Sequence, residues 1–160
     1  NVIRMMYSSE NNKYYLLTYL DNEDKQDTVK IYEYDEKEMK LVLENTPNGN
    51  NSTTINEIDG WLYITIGEKI YRYKNGKFND YLEVNLSNFG GQIWGRNRND
   101  VFIRMFDGLV HYNGSNFKYI LKFSSNITFG SPAIVLEKDI FLHAFDDKTG
   151  YNIIYHGQLK

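Results

Sequence analysis

An all-β fold made of repeated antiparallel units is what this sequence predicts, and three observations carry it. Fourteen Tyr, nine Phe and two Trp stand among 160 residues with only two Pro, and aromatic side chains fit a pleated, half-buried surface. Apolar runs of about five residues, an ordinary strand length, alternate with turns rich in Gly, Asn and Asp. The same series of residue types recurs at a spacing near forty, the mark of a repeat array.

The clearest unit is Gln92 to Ile120, QIWGRNRNDVFIRMFDGLVHYNGSNFKYI, which reads as an antiparallel meander. The repeats align on a Tyr near the end of each third run: Tyr34, Tyr73, Tyr112 and Tyr155, separated by 39, 39 and 43. IYRYKNGKF from Ile70 matches LVHYNGSNF from Leu109, and each places a Phe five residues after the Tyr.

Repeat one, residues 1–47, holds VIRMM, KYYLLTYL, VKIYEY and MKLVLE. Repeat two, 53–86, holds TTINEI, WLYITI, KIYRY and KFNDYLEV. Repeat three, 91–123, holds GQIW, DVFIRMF, LVHY and NFKYILKF, and repeat four, 131–160, holds PAIVL, DIFLHAF and YNIIYH. Asp21, Glu23, Asp24 and Asp27 lengthen repeat one. The segments NFGGQ (Asn88 to Gln92) and TFGSP (Thr128 to Pro132) read as connections between repeats.

Runs such as WLYITI are apolar at consecutive positions, which suits strands covered on both faces. Twisted four-stranded sheets stacked around an axis meet that requirement, so a β-propeller of four-stranded antiparallel blades is expected. A solenoid uses shorter repeats, and a sandwich does not require such similarity. Four blades are visible. The first begins on an inner strand and the fourth stops after its third, so they are expected to belong to a larger ring, against the alternative of a ring closed by four blades.

The third repeat resembles a bacterial propeller repeat that opens with Ile-Trp-Gly, continues with Asn-Asp-Val and an aromatic, and closes with His-Tyr-Asn-Gly-Ser. Ile93, Trp94, Gly95, Asn99, Asp100, Val101, Phe102, His111, Tyr112, Asn113, Gly114 and Ser115 carry the resemblance. The second repeat keeps Asp59, Gly60, Trp61, Tyr73, Asn75 and Gly76, and the first and fourth keep the strand pattern alone. The resemblance implies a propeller of a kind found in secreted and surface proteins, without implying a catalytic site.

A net charge of -3, with Lys and Arg scattered among acids, lacks the basic field that phosphate backbones need, so no nucleic-acid partner is expected. Absence of Cys excludes thiol chemistry and Cys-based zinc sites and leaves the redox compartment open. No run approaches the roughly 20 apolar residues of a membrane span. The start NVIRMMYSSE has neither an initiator Met nor a signal core, as in a chain whose earlier portion is missing. N-x-S/T matches fall at Asn50, Asn51, Asn85, Asn113 and Asn126.

No nucleophile elbow, phosphate loop or HExxH helix is present, so neither catalytic residues nor a cofactor are assigned. His111, His143 and His156 have no shared spacing that points to a metal, and His111 is read as a structural hydrogen-bonding residue. The acidic stretch near Asp24 lacks the central Gly and terminal Glu of a calcium loop. Arg96 and Arg98 are read as surface charges, with Asp100 fixing the turn beside them. Ligand-contacting candidates are Asn48, Asn88, Phe89, Trp94, Asp107, Phe129 and Asp146, drawn from first strands and from loops of the kind that rigid scaffolds present for binding. Packing is the competing role for Trp94, Phe89 and Phe129. The expected function is a non-catalytic extracytoplasmic module that presents loops to a protein partner. A glycan-binding propeller is the alternative and a hydrolase the remote one; repeated exposed aromatics at equivalent loops would favour glycan, a single irregular apolar patch a protein.

Overall fold

A computed structural model of the chain describes residues 2–8, 12–20, 27–46, 53–84, 86–130 and 132–158. Among them every regular element is a strand, and the strands form four antiparallel sheets. Sheet 1 orders β1 (Val2–Ser8), β2 (Lys13–Leu20), β3 (Thr28–Tyr34) and β4 (Met39–Asn45) side by side. Sheet 2 does the same with β5 (Thr53–Ile58), β6 (Trp61–Ile66), β7 (Lys69–Lys74) and β8 (Lys77–Glu83), and sheet 3 with β9 (Phe89–Asn97), β10 (Asp100–Met105), β11 (Gly108–Tyr112) and β12 (Phe117–Lys122). In sheet 4, β13 (Ile127–Phe129) and β14 (Ile134–Val135) share one edge of β15 (Asp139–Asp146), and β16 (Tyr151–Gln158) takes the other.

Local chemistry explains the hairpins. Asp59-Gly60 joins β5 to β6 and Asn75-Gly76 joins β7 to β8, with positive φ at both residues of each pair (52° and 66°; 52° and 77°). Two-residue turns of that hand match the twist of the strands they connect.

The chain divides into two compact units, residues 1–85 and 86–160. In the first, sheets 1 and 2 pack face to face, with Tyr15, Leu17, Val29 and Ile31 against Ile55, Leu62, Ile64, Ile66 and Tyr73. In the second, Trp94, Phe102 and Leu109 of sheet 3 meet Ala133, Ile140 and Leu142 of sheet 4. First strands are neighbours in both units, β1 beside β5 and β9 beside β14. Every residue of β6 after Trp61 is buried, which is why WLYITI does not alternate.

Two expectations are corrected. NFGGQ and TFGSP are not simple connections: β9 starts at Phe89, which pairs with Met105, and Phe129 pairs with Ala144. The glycines make this possible, because a Cβ on Gly90 would come within 2.9 Å of Arg104 Cγ and one on Gly130 would strike the His143 ring. The repeat Tyr is also misplaced in sheet 4. Pairing opposite the second residue of each second strand are Tyr34, Tyr73, Tyr112 and Gly157, so Gly157, not Tyr155, occupies that position. The shift arises in the hairpin: two residues separate the paired Met105 and Gly108, whereas residues 145–152, eight in all, separate Ala144 and Ile153.

Ile64 is fully buried between sheets 1 and 2. Ile64→Ala is expected to cost about 2–5 kcal/mol, the range for truncating a buried aliphatic side chain, read as a lower urea midpoint at unchanged slope. A loss under about 1 kcal/mol would contradict this packing.

Candidate functional site

Each sheet repeats one cross-strand arrangement. It joins the first and third residues of the second strand to the third-strand residue opposite the latter. In sheet 1 these are Lys13, Tyr15 and Glu33: Lys13 Nζ lies 2.6 Å and the Tyr15 hydroxyl 3.0 Å from the carboxylate. In sheet 2, the Arg72 guanidinium sits over Trp61 and Tyr63, 5.1 and 6.0 Å from the ring centroids. In sheet 3, His111 Nε2 is 2.7 Å from Asp100 and the imidazole lies 4.9 Å from the Phe102 ring. Sheet 4 repeats this with Asp139, Phe141 and His156, at 2.7 Å and with stacked rings 4.5 Å apart.

In sheets 1 and 3 the next sheet docks on this group. Tyr73 of sheet 2 donates its hydroxyl to Glu33 at 3.1 Å and meets the Tyr15 ring edge-on. Burial alone would raise the Glu33 carboxyl, yet hydrogen bonds from Lys13, Tyr15 and Tyr73 hold it below its ordinary value. Both tyrosine hydroxyls are pushed up, first by burial and then by the Glu33 charge. In sheet 3, Arg96 pairs with Asp100, lies over Phe102, and donates to the carbonyls of Leu136 (2.9 Å) and Glu137 (3.2 Å) in the turn between β14 and β15. Arg96 is therefore an inter-sheet clasp and not the surface charge expected of it, and Asn97 rather than Asp100 holds the turn, accepting from the Asn99 N–H. Arg98 is exposed.

The expected ligand-contacting residues separate by accessibility. Phe89 is buried and Trp94 is 8% exposed, its indole stacked 5.7 Å from the half-buried Phe129 ring, so packing occupies them. Asn88 is exposed with φ 74°, and its carbonyl accepts the Phe106 N–H at 2.7 Å. Asp107 accepts the Tyr119 hydroxyl at 2.9 Å; burial, then that bond, pushes the phenol up to about 12. Asp146 accepts from Asn126 Nδ2 (2.7 Å), Thr149 Oγ1 (2.8 Å) and the Lys148 and Thr149 N–H groups, bonds that hold its carboxyl below the ordinary value. Asp107 is thus engaged by the neighbouring β12, and Asp146 by its own turn and by Asn126. Asn48, Asn50, Asn51, Asn85, Asp21, Glu23 and Asp24 lie outside the described residues, and Asp27 accepts the Tyr19 hydroxyl.

What these turns do present is apolar. Phe106 is 51% exposed, and its structural counterpart in sheet 4, Phe145, is 37% exposed. Tyr151, 72% exposed, follows on the lengthened β15–β16 hairpin, which Asp146 rigidifies. Phe106 and Tyr151 were not singled out from the sequence; the available signal was Phe-Asp repeated at 106–107 and 145–146. Arg104 was missed as well. It lies over Phe129 (4.9 Å), reaches Gln92 at 3.3 Å, and has a buried Nε without a hydrogen-bond partner among the described residues.

Among the described residues no three His, Cys, Asp or Glu side chains are grouped to hold a metal, and no helix is long and apolar enough to cross a membrane. No protein-family model matches the chain, and no curated protein matches it at a significant level.

Burial alone would raise Asp100, but Arg96 and His111 outweigh it and lower its pKa. That stabilisation is complete above the unfolded carboxylate value of about 4 and is lost as pH falls through the depressed folded value. Asp100→Asn is expected to cost about 1–3 kcal/mol at pH 7, with the gap from the parent closing as pH drops below about 4. Parallel urea melts at pH 7 and pH 3 check it; a gap that widens in acid would contradict the assignment.

Proposed function

We propose that the chain is a non-catalytic interaction module, a run of four β-propeller blades, that binds a protein partner through the turn end of sheets 3 and 4. The observation that carries this reading is the set of exposed aromatic residues Phe106, on the β10–β11 turn, and Phe145 and Tyr151, at the end of the β15–β16 ladder, where the carboxylates Asp107 and Asp146 are already engaged. Aromatic side chains on a rigid hairpin supply large contact area at small entropic cost, as protein-binding hot spots require. Blade architecture is supported by the four antiparallel sheets, by their face-to-face packing in pairs and by the side-by-side first strands within each pair. The resemblance of the third repeat to bacterial surface repeats supports an extracytoplasmic setting.

Glycan binding is the second reading, because Phe106 and Phe145 each follow the sixth residue of their second strand, as repeated sugar-stacking residues would. Against it, sugar recognition needs hydroxyl-binding groups beside the ring, and the adjacent carboxylates are spent on Tyr119, Asn126 and Thr149.

In Phe145→Ala/Tyr151→Ala the change at Tyr151, 72% exposed, should cost less than about 0.5 kcal/mol and that at Phe145, 37% exposed, about 1 kcal/mol. Loss of two such anchors should weaken partner binding by at least about thirtyfold. A photo-crosslinker at position 106 would capture the partner for that comparison, with a glycan array run in parallel. Array binding that disappears in Phe106→Ala would replace the protein reading with the glycan one.

A further inference from the structure

The fifth residue of the second strand is Leu17, Thr65, Arg104 and His143 in sheets 1 to 4. Leu17 and Thr65 are fully buried, and His143 meets the Asn152 side chain at 2.7 Å. Only sheet 3 places a permanent charge there. Arg104 shares its face of β10 with Phe102, so it lies between sheets 3 and 4, half-buried. Taking a cation out of water is costly unless an anion compensates it. Here burial lowers the Arg104 pKa and no carboxylate acts against it.

The surroundings hold the guanidinium without neutralising it. One face lies over the Phe129 ring, 4.9 Å from its centroid, and Nη1 donates to Gln92 Oε1 at 3.3 Å. Gly90 makes room for the stem, because a Cβ there would come within 2.9 Å of Arg104 Cγ. That leaves the edge formed by Nε and Nη2, a fork that matches a carboxylate bidentately. Nε is buried without an acceptor, and among the described residues none meets Nη2. An aliphatic side chain such as Leu17 fills the corresponding place in sheet 1, so packing does not account for the charge. Phe106, 51% exposed on the β10–β11 turn, is two residues on, about 7 Å along the chain.

We propose that the Nε–Nη2 edge of Arg104 is an anion subsite of the turn end of sheets 3 and 4 and takes the side-chain carboxylate of an Asp or Glu on the partner protein. This rests on the reading of that end as an interaction face and adds the partner's chemistry, an acidic residue next to apolar ones. Terminal carboxylates are captured in nests of backbone N–H groups, whereas a single planar fork suits an acidic side chain. Pairing offsets the burial penalty that the free chain carries, so the contact is worth more than an exposed ion pair.

The test is an NMR titration of the isotope-labelled full chain that follows the Arg104 Nε–H and the Phe106 amide. The probe is N-acetylglutamate α-amide, which carries only a side-chain carboxylate, at ionic strength held constant with sodium chloride. Saturation with a dissociation constant of about 10 mM or tighter is expected, while the neutral N-acetylglutamine α-amide leaves both signals in place. Arg104→Lys keeps the charge but loses the fork, and is expected to weaken binding at least about fivefold, read at the Phe106 amide. Gln92→Ala keeps Arg104 and removes its polar tether; it is expected to weaken binding about twofold, and it decides the matter where Arg104→Lys does not fold. No partner protein enters this experiment, so its failure is separate from failure of the aromatic turn to bind one. The proposal is overturned if the acidic probe does not saturate below about 100 mM, if the neutral amide acts equally, or if neither variant weakens binding. It is also overturned if N-acetylglutamine, with only a terminal carboxylate, or inorganic phosphate binds more tightly.

Discussion

A sheet that is apolar on both faces cannot stand alone in water, and the rest of this structure follows from that constraint. Leu62, Ile64 and Ile66 of one sheet need Tyr15, Leu17 and Ile31 of another, and Ile140 and Leu142 need Trp94 and Phe102. Burial drives the stacking but does not fix its register. Register comes from the polar and aromatic group at the start of each second strand, where Glu33 receives Tyr73 in one unit and Arg96 reaches the Leu136 and Glu137 carbonyls in the other. The members of the group differ from sheet to sheet while the positions stay fixed, so geometry is what the repeat preserves.

Departures from the repeat fall at the surface. Sheets 2 and 3 close their second hairpin tightly, whereas sheet 4 extends it by two further ladder pairs and a four-residue turn braced by Asp146. An extended hairpin adds nothing to inter-sheet packing and holds Tyr151 in solvent. Extra residues that leave the core unchanged are the usual raw material of recognition on a repeat scaffold.

The four strands of sheets 1 to 3 and their order were legible in the sequence because apolar runs and Asn-Gly or Asp-Gly turns are local signals, and β5 to β8 follow them closely, whereas β13 lies in a stretch that reads as a connection. Less legible was the function of particular side chains. Arg96 reads as a turn charge until the chain forty residues on is folded against it. Phe89 and Phe129 read as connection residues because the Phe-Gly pair resembles a turn, yet the glycine is there to admit Arg104 or His143 of the adjacent strand. The residue just before the aligned Tyr is polar in repeats one to three, Glu33, Arg72 and His111, which marked the cross-strand group. In repeat four alignment on Tyr155 hid it, because a longer hairpin displaces His156. Surface exposure of Phe106 is marked only by the Phe-Asp pair repeated at 106–107 and 145–146, and that of Tyr151 by nothing local, since the same residue types fill the core.

If the cross-strand group is where the next sheet docks, its partners must be energetically coupled across the gap. A double-mutant cycle on Tyr73→Phe and Glu33→Gln, followed by urea unfolding at pH 7, measures that coupling directly. The Tyr73 hydroxyl bonds to a mostly buried carboxylate at 3.1 Å, so an interaction energy of about 1–2 kcal/mol is expected. Additivity of the two losses to within about 0.3 kcal/mol would contradict it.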